Sequence, residues 1–309
     1  MTESLGRTIL ETLADAAAAG PYALVDYPNY LNPGDAAIWL GARRALEAIN
    51  GRPPAYAATL RGFSPARCRA AIGKGTVYFL GGGNFGDLYP RHQRMRLDVL
   101  RALAGNPVVQ LPMSCAFAPV PDEALLAETR ALYRDRPALR LFARDRRARS
   151  DLGERFGLDA TPCPDLCHLL PLAAPPPVQD VVRLMRRDPE AAGRQADAAQ
   201  DWRDMAGQRR INRLGKLLLA AAPRRFTLAA QDWVAARKVD HAVAALARGR
   251  TVETDRLHAA LLAAAIGREV LLHDNTTGKV LAYRETWAAL LPDLFHPHGE
   301  RRTTTWRDP

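Results

Sequence analysis

One pattern constrains this chain more than any other. Short apolar runs end in loops rich in glycine, proline, asparagine and aspartate, and each loop leads into an amphipathic stretch. Ala23 to Tyr27 runs into Pro28-Asn29-Tyr30-Leu31-Asn32-Pro33-Gly34-Asp35, and Ala36 to Ile49 then reads as a helix with Ile38, Trp39, Leu46 and Ile49 on one broad face. Thr76 to Leu80, the loop Gly81 to Asp87 and a helix over Arg91 to Ala104 repeat the order. Pro107 to Leu111, a helix over 122–134, Leu139 to Ala143, a helix ending near Phe156-Gly157 and the run Ala160 to Cys163 continue it. Strands that alternate with helices pair in parallel and are buried on both faces. The expected fold class is therefore α/β, with parallel, doubly wound, Rossmann-like sheets.

An amphipathic helix over 2–19 precedes this series and stops at Gly20-Pro21. The pattern breaks at Ala173-Ala174-Pro175-Pro176-Pro177, where consecutive prolines make a stiff, extended connector. A second series follows. Val181 to Met185 opens it, then a basic helical segment over 190–222, a strand over Arg225 to Ala229 and a helix over Asp232 to Arg248. Thr251 to Glu253, a helix over 256–266, a strand over Glu269 to His273 and a last helix near Arg284 to Leu290 complete it. At about 150 residues per domain, a chain of 309 residues fits two domains. The boundaries expected are 1–175 and 176–295, with a polar, basic tail over 296–309. Two such sheets imply an interdomain cleft at the carboxyl ends of their strands, where ligands of open α/β sheets bind.

The formal net charge of +10 is carried largely by arginine and favours anionic partners. No aromatic RNA-binding motif and no basic helix with base-reading spacing accompanies it, so no nucleic-acid partner is expected. Cys163 and Cys167 lie four apart before His168, which is the wrong spacing for haem attachment or most zinc sites. Buried, reduced cysteines and no metal are the expectation. The first residues lack the basic start and apolar core of a secretory signal. No apolar run reaches the ~18 residues of a membrane span, and a cytoplasmic location follows as the expectation.

Several strand-end residues carry chemistry. Glycines Gly82 and Gly83, with Asn84, sit between a strand and a helix start, where a backbone free of Cβ admits an anion closely. The loop lacks both the dinucleotide fingerprint and the Gly-Lys-Ser/Thr of a phosphate loop. Asn32, Gly34 and Asp35 form a second such loop, in which Asp35 either caps the next helix or holds a sugar hydroxyl. Arg144 offers a bidentate fork for a carboxylate or phosphate, or a salt bridge to Asp145. Arg256 is a second fork, and His258 is suited to proton transfer near neutral pH. Lys279 lies one βα unit further on, close enough for the two loops to share a site.

Taken together, these motifs are specific. Asp26-x-Pro-Asn-x-x-Asn-x-Gly-Asp35, Gly81-Gly-Gly-Asn-Phe-Gly-Asp87, Leu111-Pro-x-Ser114, Arg144-Asp145, Pro164-Asp165, Arg187-Asp188-x-Glu190, Thr254-Asp-Arg-Leu-His258 and Asp274-Asn275 with Lys279 follow one another in a fixed order. In order and spacing the chain resembles the polysaccharide pyruvyl transferase family from about residue 22 to about residue 290. The resemblance implies a fold like that of the two-domain glycosyltransferase B type. It implies transfer of pyruvate from phosphoenolpyruvate to a sugar as a ketal, with no cofactor. It assigns donor binding and catalysis to Arg144, Arg256, His258 and Lys279, and substrate contacts to Asn32, Gly34, Asp35, Gly82, Gly83, Asn84, Ser114, Asp255 and Asn275. Met113 stands where glutamine often precedes the family's serine, and Thr277 where an aromatic commonly precedes Gly-Lys, departures that bear on the acceptor. By analogy the acceptor is a sugar on a lipid diphosphate carrier, and the basic surface suits peripheral membrane association. A nucleotide-sugar glycosyltransferase and a non-catalytic sugar-binding protein of the same fold are the alternatives.

Overall fold

The computed structural model describes residues 2–136, 138–188, 190–192, 199–291 and 295–297. Most of the expected basic tail, from residue 298 on, lies outside the described residues.

Helix α1 (Thr2–Ala14) precedes β1 (Ala23–Tyr27), α2 (Pro33–Asn50), β2 (Tyr56–Thr59), α3 (Pro65–Ile72), β3 (Val77–Phe79) and β4 (Gly82–Phe85). Then come α4 (Pro90–Ala102), β5 (Val108–Cys115), α5 (Glu123–Arg134), β6 (Leu139–Ala143), α6 (Arg146–Asp151) and β7 (Thr161–Pro162). These strands form one parallel sheet in the order β2-β1-β3-β5-β6-β7, with β4 paired to the far end of β5. The chain leaves β1 first to one side, to β2, and later to the other, to β3. That reversal makes a crevice beyond the carboxyl ends of β1 and β3.

The rest of the chain builds β8 (Gln179–Leu184), α7 (Ala206–Ala221), α8 (Thr227–Ala247), β9 (Gly249–Thr254), α9 (Leu257–Ala265), β10 (Glu269–Leu272), α10 (Lys279–Thr286) and β11 (Phe295–Pro297). Its sheet is also parallel, in the order β11-β10-β9-β8.

Alternation along β1 explains how both faces of the first sheet are filled. Leu24 points into one apolar cluster, and Ala23 and Val25 into another. The first of these clusters extends into the second sheet through α8. Polar ties fix that seam. Trp39 Nε1 on α2 donates to Asp232 Oδ1 on α8 at 2.7 Å, and the Tyr27 hydroxyl donates to the Gln231 carbonyl at 3.0 Å.

Some elements differ from the sequence expectation. The region between Ile49 and Thr76, in which no element was expected, holds β2 and α3. Gly82 to Phe85, expected as loop, pairs with Met113 and Cys115, because a glycine strand carries almost no β signal of its own. Arg225 to Ala229, expected as a strand, is a 3-10 turn entering α8, since a short apolar run has no period that separates strand from helix. Among the described residues of the basic segment over 190–222, the helix runs from Ala206 to Ala221. The last helix starts at Lys279, not Arg284, and Leu290 lies beyond its end. Helix α1 ends at Ala14 rather than near residue 19.

Candidate active site

Loops from the carboxyl ends of both sheets line one cavity of about 480 Å³. That volume suits a small ligand. Tyr30, Asn32 and Asp35 follow β1, Gly83 and Asn84 lie in β4, and Arg144 follows β6; Arg186 and Glu190 follow β8, Arg256 and His258 follow β9, and Lys279 follows β10.

His258, in the first turn of α9, is oriented by a carboxylate from the other sheet's side of the cavity. Its Nε2 lies 3.2 Å from Asp165 Oδ2. Asp165 follows β7 and caps a 3-10 turn over Leu166–Leu169. Arg144 Nη1 donates to the same Oδ2 at 2.8 Å, and both Arg144 and Asp165 are buried. Burial alone would raise the Asp165 pKa, but His258 and then Arg144 hold it well below the usual carboxylate range. For Arg144 burial likewise opposes charge, and Asp165 and Asp145 overcome it and raise its pKa. With Nε2 engaged by Asp165, Nδ1 is the other ring nitrogen. It sits beside Gly34 in the first turn of α2, where a Cβ would lie 2.6 Å from the His258 Cβ and 2.7 Å from its Nδ1. Gly34 thus does not face the cavity but lets α2 close against the imidazole.

The cap of α2 is Asn32, whose Oδ1 accepts from Gly34 N at 3.0 Å and whose Nδ2 donates to Asp35 Oδ2 at 2.8 Å. Asp35 is therefore not the cap, and its carboxylate faces the cavity.

Lys279 is the first residue of α10, and its Nζ is paired with Glu190 Oε2. Burial lowers its pKa to about 8; Glu190 opposes the shift, and Arg186 and Arg144 reinforce it. Glu190 also accepts from the Tyr89 hydroxyl at 2.6 Å and from Arg186 Nη1 at 3.1 Å. Arg256 is held by Asp201 at 2.6 Å and Asp188 at 3.2 Å, while its Nε is buried with no hydrogen-bond partner among the described residues. A Cβ on Gly83 would stand 2.9 Å from both Arg144 Nη2 and Lys279 Nζ, so the glycine leaves those cations open to the cavity.

Other expected contact residues stand behind the wall. Ser114 Oγ accepts from Arg144 Nε at 2.7 Å and donates to Asp145, so it orients Arg144. Asp255 accepts from Arg186 N at 2.8 Å, and Asn275 donates to Glu190 at 3.2 Å and accepts from Thr277 N at 3.1 Å. Gly82, at φ 118, turns the chain near Ile38 and Asp35. Arg144 pairs with Asp165 rather than with Asp145, which caps α6.

The cavity also holds a second imidazole, His92, which lies outside the residues expected to carry donor binding and catalysis. His92 Nδ1 lies 2.9 Å from Asp26 Oδ2, and its ring meets Tyr30 edge-on at 5.9 Å. Asp26 is buried and has φ 75, a left-handed conformation rare outside glycine. Arg96 Nη1 donates to the Asn84 carbonyl at 3.1 Å, which fixes Asn84 beside this pair.

A family model for polysaccharide pyruvyl transferases matches residues 32–275. The chain belongs to that family. It is 28% identical over 295 residues to pyruvyl transferase 1 of the fission yeast Schizosaccharomyces pombe, covering 86% of this chain and 69% of that protein. It is also 28% identical over 229 residues to EpsO of Bacillus subtilis, itself assigned as a pyruvyl transferase, covering 69% of each. A crystal structure of a functionally uncharacterised Klebsiella pneumoniae protein superposes with a TM-score of 0.59, covering 95% of this chain and 97% of that one at 16% identity. The last likeness concerns the fold alone. The family makes the chain a transferase of the pyruvyl transferase kind, with a polysaccharide as the acceptor class. The glycosyltransferase and sugar-binding alternatives are not favoured. Among the described residues no cluster of histidine, cysteine, aspartate and glutamate could hold a metal ion, and no helix is long and apolar enough to cross a membrane.

Proposed function

We propose that this pyruvyl transferase moves pyruvate from phosphoenolpyruvate to a sugar of a cell-surface glycan precursor, as a ketal. The observation that carries the reading is the meeting of Arg144, Arg256, Lys279 and the Asp165-backed His258 in one cavity. Phosphoenolpyruvate carries a carboxylate and a phosphate close together. Guanidinium forks and an ammonium match those groups and favour the departing phosphate, without a further cofactor.

The chemistry balances as follows. One sugar hydroxyl oxygen bonds to C2 of the donor while C3 takes a proton and becomes a methyl. Phosphate then leaves with the electrons of its C2–O bond, and a second hydroxyl oxygen takes its place. Two hydroxyl protons are lost; one equals the proton gained at C3, and the other leaves with phosphate or solvent. His258, beside the cations, is assigned to the donor's C3. His92, paired with Asp26, is assigned to the acceptor hydroxyl. Asp35 and Asn84 suit sugar hydroxyls.

In this reading the chain has two domains, about 1–175 and 176–295, in a glycosyltransferase-B-like arrangement. The acceptor enters from the first and the donor rests mainly on the second. The acceptor is a lipid-linked oligosaccharide, and the enzyme works on the cytoplasmic side at the membrane face. Incubation with phosphoenolpyruvate and lipid-linked oligosaccharides tests this. Phosphate release together with an acceptor heavier by pyruvic acid less water is the expected result. Phosphate release without any acceptor gain, or binding of a nucleoside diphosphate in place of phosphoenolpyruvate, would overturn it.

A further inference from the structure

Most of the large apolar side chains that stand exposed gather on one hairpin, α7 with α8; Val120 and Val178 lie elsewhere. Leu214 is 52% exposed, Leu217 64% and Leu218 40% on α7, with Phe226 at 51% in the turn and Trp233 at 55% on α8. Helix α7 leaves an apolar face uncovered. It buries Gln208 and Gly215, the latter against Val234, and packs Leu219 on the core, but turns Leu214, Leu217 and Leu218 to solvent. Leu214, Leu217 and Leu218 are spaced three and four apart, so they share one face. A contiguous apolar face of this kind marks a missing partner.

Charge identifies that partner. Arg209, Arg210, Arg213 and Lys216 are all exposed, and α7 contains no aspartate or glutamate. Arg210 and Arg213 each lie four residues before one of the leucines, on the same face. A second copy docking by this face in a two-fold pair would set these cations against themselves. An anionic bilayer would satisfy both sides of the helix, taking the leucines into its interface and the arginines among its phosphates. The flank of α7 leads directly to the cavity, which Asn212 and Lys216 line.

We infer that the outer face of the α7–α8 hairpin docks on an anionic phospholipid surface and holds the mouth of the cavity against the headgroups. The inference rests on the reading of a lipid-anchored acceptor for its purpose, although its test does not use an acceptor.

The test is co-sedimentation of the full chain with vesicles. Vesicles of phosphatidylglycerol mixed with phosphatidylcholine are expected to pellet the chain; vesicles of phosphatidylcholine alone are not, and salt should release it. Leu214→Ser, Leu217→Ser and Leu218→Ser combined should reduce partition by ~10-fold or more, with an unchanged circular dichroism spectrum, because these side chains are already exposed. Arg210→Gln with Arg213→Gln should remove the preference for the anionic lipid. The inference is overturned if the parent stays in the supernatant with both vesicles. It is equally overturned if the leucine variant pellets as fully as the parent, or if sedimentation velocity finds a dimer that the leucine variant dissolves. Phosphoenolpyruvate binding by calorimetry on the same samples reports on the cavity alone. A chain that pellets with anionic vesicles but binds no phosphoenolpyruvate supports the docking face and refutes the donor reading.

Discussion

Asp165 Oδ2 lies 3.2 Å from Nε2 of His258, and the two residues come from opposite sheets, one following β7 and the other following β9. The contact therefore exists only when the two halves are packed together. It fixes the imidazole, and a second contact to Arg144 at 2.8 Å fixes the guanidinium beside it. Asp165→Asn keeps the shape and removes the charge. Turnover is expected to fall ~10²-fold or more, because the imidazole loses the partner that sets its tautomer and orientation. Asp165→Ala leaves the Arg144 charge buried and unpaired and is expected to lower stability by about 3–5 kcal/mol. Phosphate-release kinetics and urea denaturation measure the two effects separately. Full activity in the Asn variant would remove Asp165 from the mechanism.

Gly34 makes the opposite test, of space rather than charge. In the first turn of an ordinary helix Gly→Ala is neutral or stabilising, by up to about 1 kcal/mol. Here the new Cβ would stand 2.6 Å from the His258 Cβ. That atom is fixed to the α9 backbone, so the start of α2 or of α9 has to move. A small displacement of a catalytic group can lower rate by ~10²-fold, so Gly34→Ala should lower kcat at least ~10-fold, lower stability by about 1–3 kcal/mol and leave donor affinity little changed. Thermal unfolding and phosphoenolpyruvate calorimetry beside kcat check this. An unchanged kcat would show that the two elements have room to spare.

His92 and Asp26 form the second imidazole–carboxylate pair, at 2.9 Å. If His92 serves the acceptor hydroxyl, its loss separates chemistry from donor binding. His92→Ala should lower turnover by ~10²-fold and leave phosphoenolpyruvate affinity within about twofold, since donor binding is assigned to Arg144, Arg256 and Lys279. His258→Ala should cause a loss of the same order. A His92 variant that loses donor affinity instead would place that side chain with the phosphate.

What the sequence made legible follows from what each side chain depends on. Arg144, His258 and Lys279 stand just past strands, in loops or first helical turns, and strand ends could be read from short apolar runs. Their convergence then followed from the rule that ligands sit at the carboxyl ends of parallel strands. The residues that set their electrostatics were harder to read. Asp165, Glu190 and Asp188 lay in short acidic motifs, but no local pattern tells which distant cation a carboxylate will meet. Asp26 and His92 are 66 positions apart and pair only because β1 and α4 flank the same crevice. Ser114, Asp255 and Asn275 were expected as substrate contacts because they lie in the motifs that carry the resemblance. In the fold their side chains turn inward to Arg144, to the Arg186 backbone and to Glu190. The strand Gly82–Phe85 was hidden for a compositional reason, since its pairing with β5 is made by backbone groups that glycine does not advertise.

Lys279 gives the pH dependence of donor binding. Burial lowers its pKa from an ordinary 10.5 to about 8, despite the pull of Glu190. The ammonium form is the one that holds a phosphate or carboxylate, so it is present at pH 7 and is lost as pH rises through about 8. Phosphoenolpyruvate affinity should therefore fall across that range, well before a free lysine would deprotonate. Stability responds with the opposite sign. Between about 8 and 10.5 the unfolded chain carries this proton and the folded chain does not, so the contribution of Lys279 to stability rises with pH. Lys279→Arg keeps the charge at all these pH values and should flatten the alkaline loss of affinity, whereas Lys279→Met should weaken binding even at pH 7. Calorimetric titration with phosphoenolpyruvate at several pH values, on parent and variants, measures this. An alkaline loss as steep in the Arg variant as in the parent would assign the titration to another group.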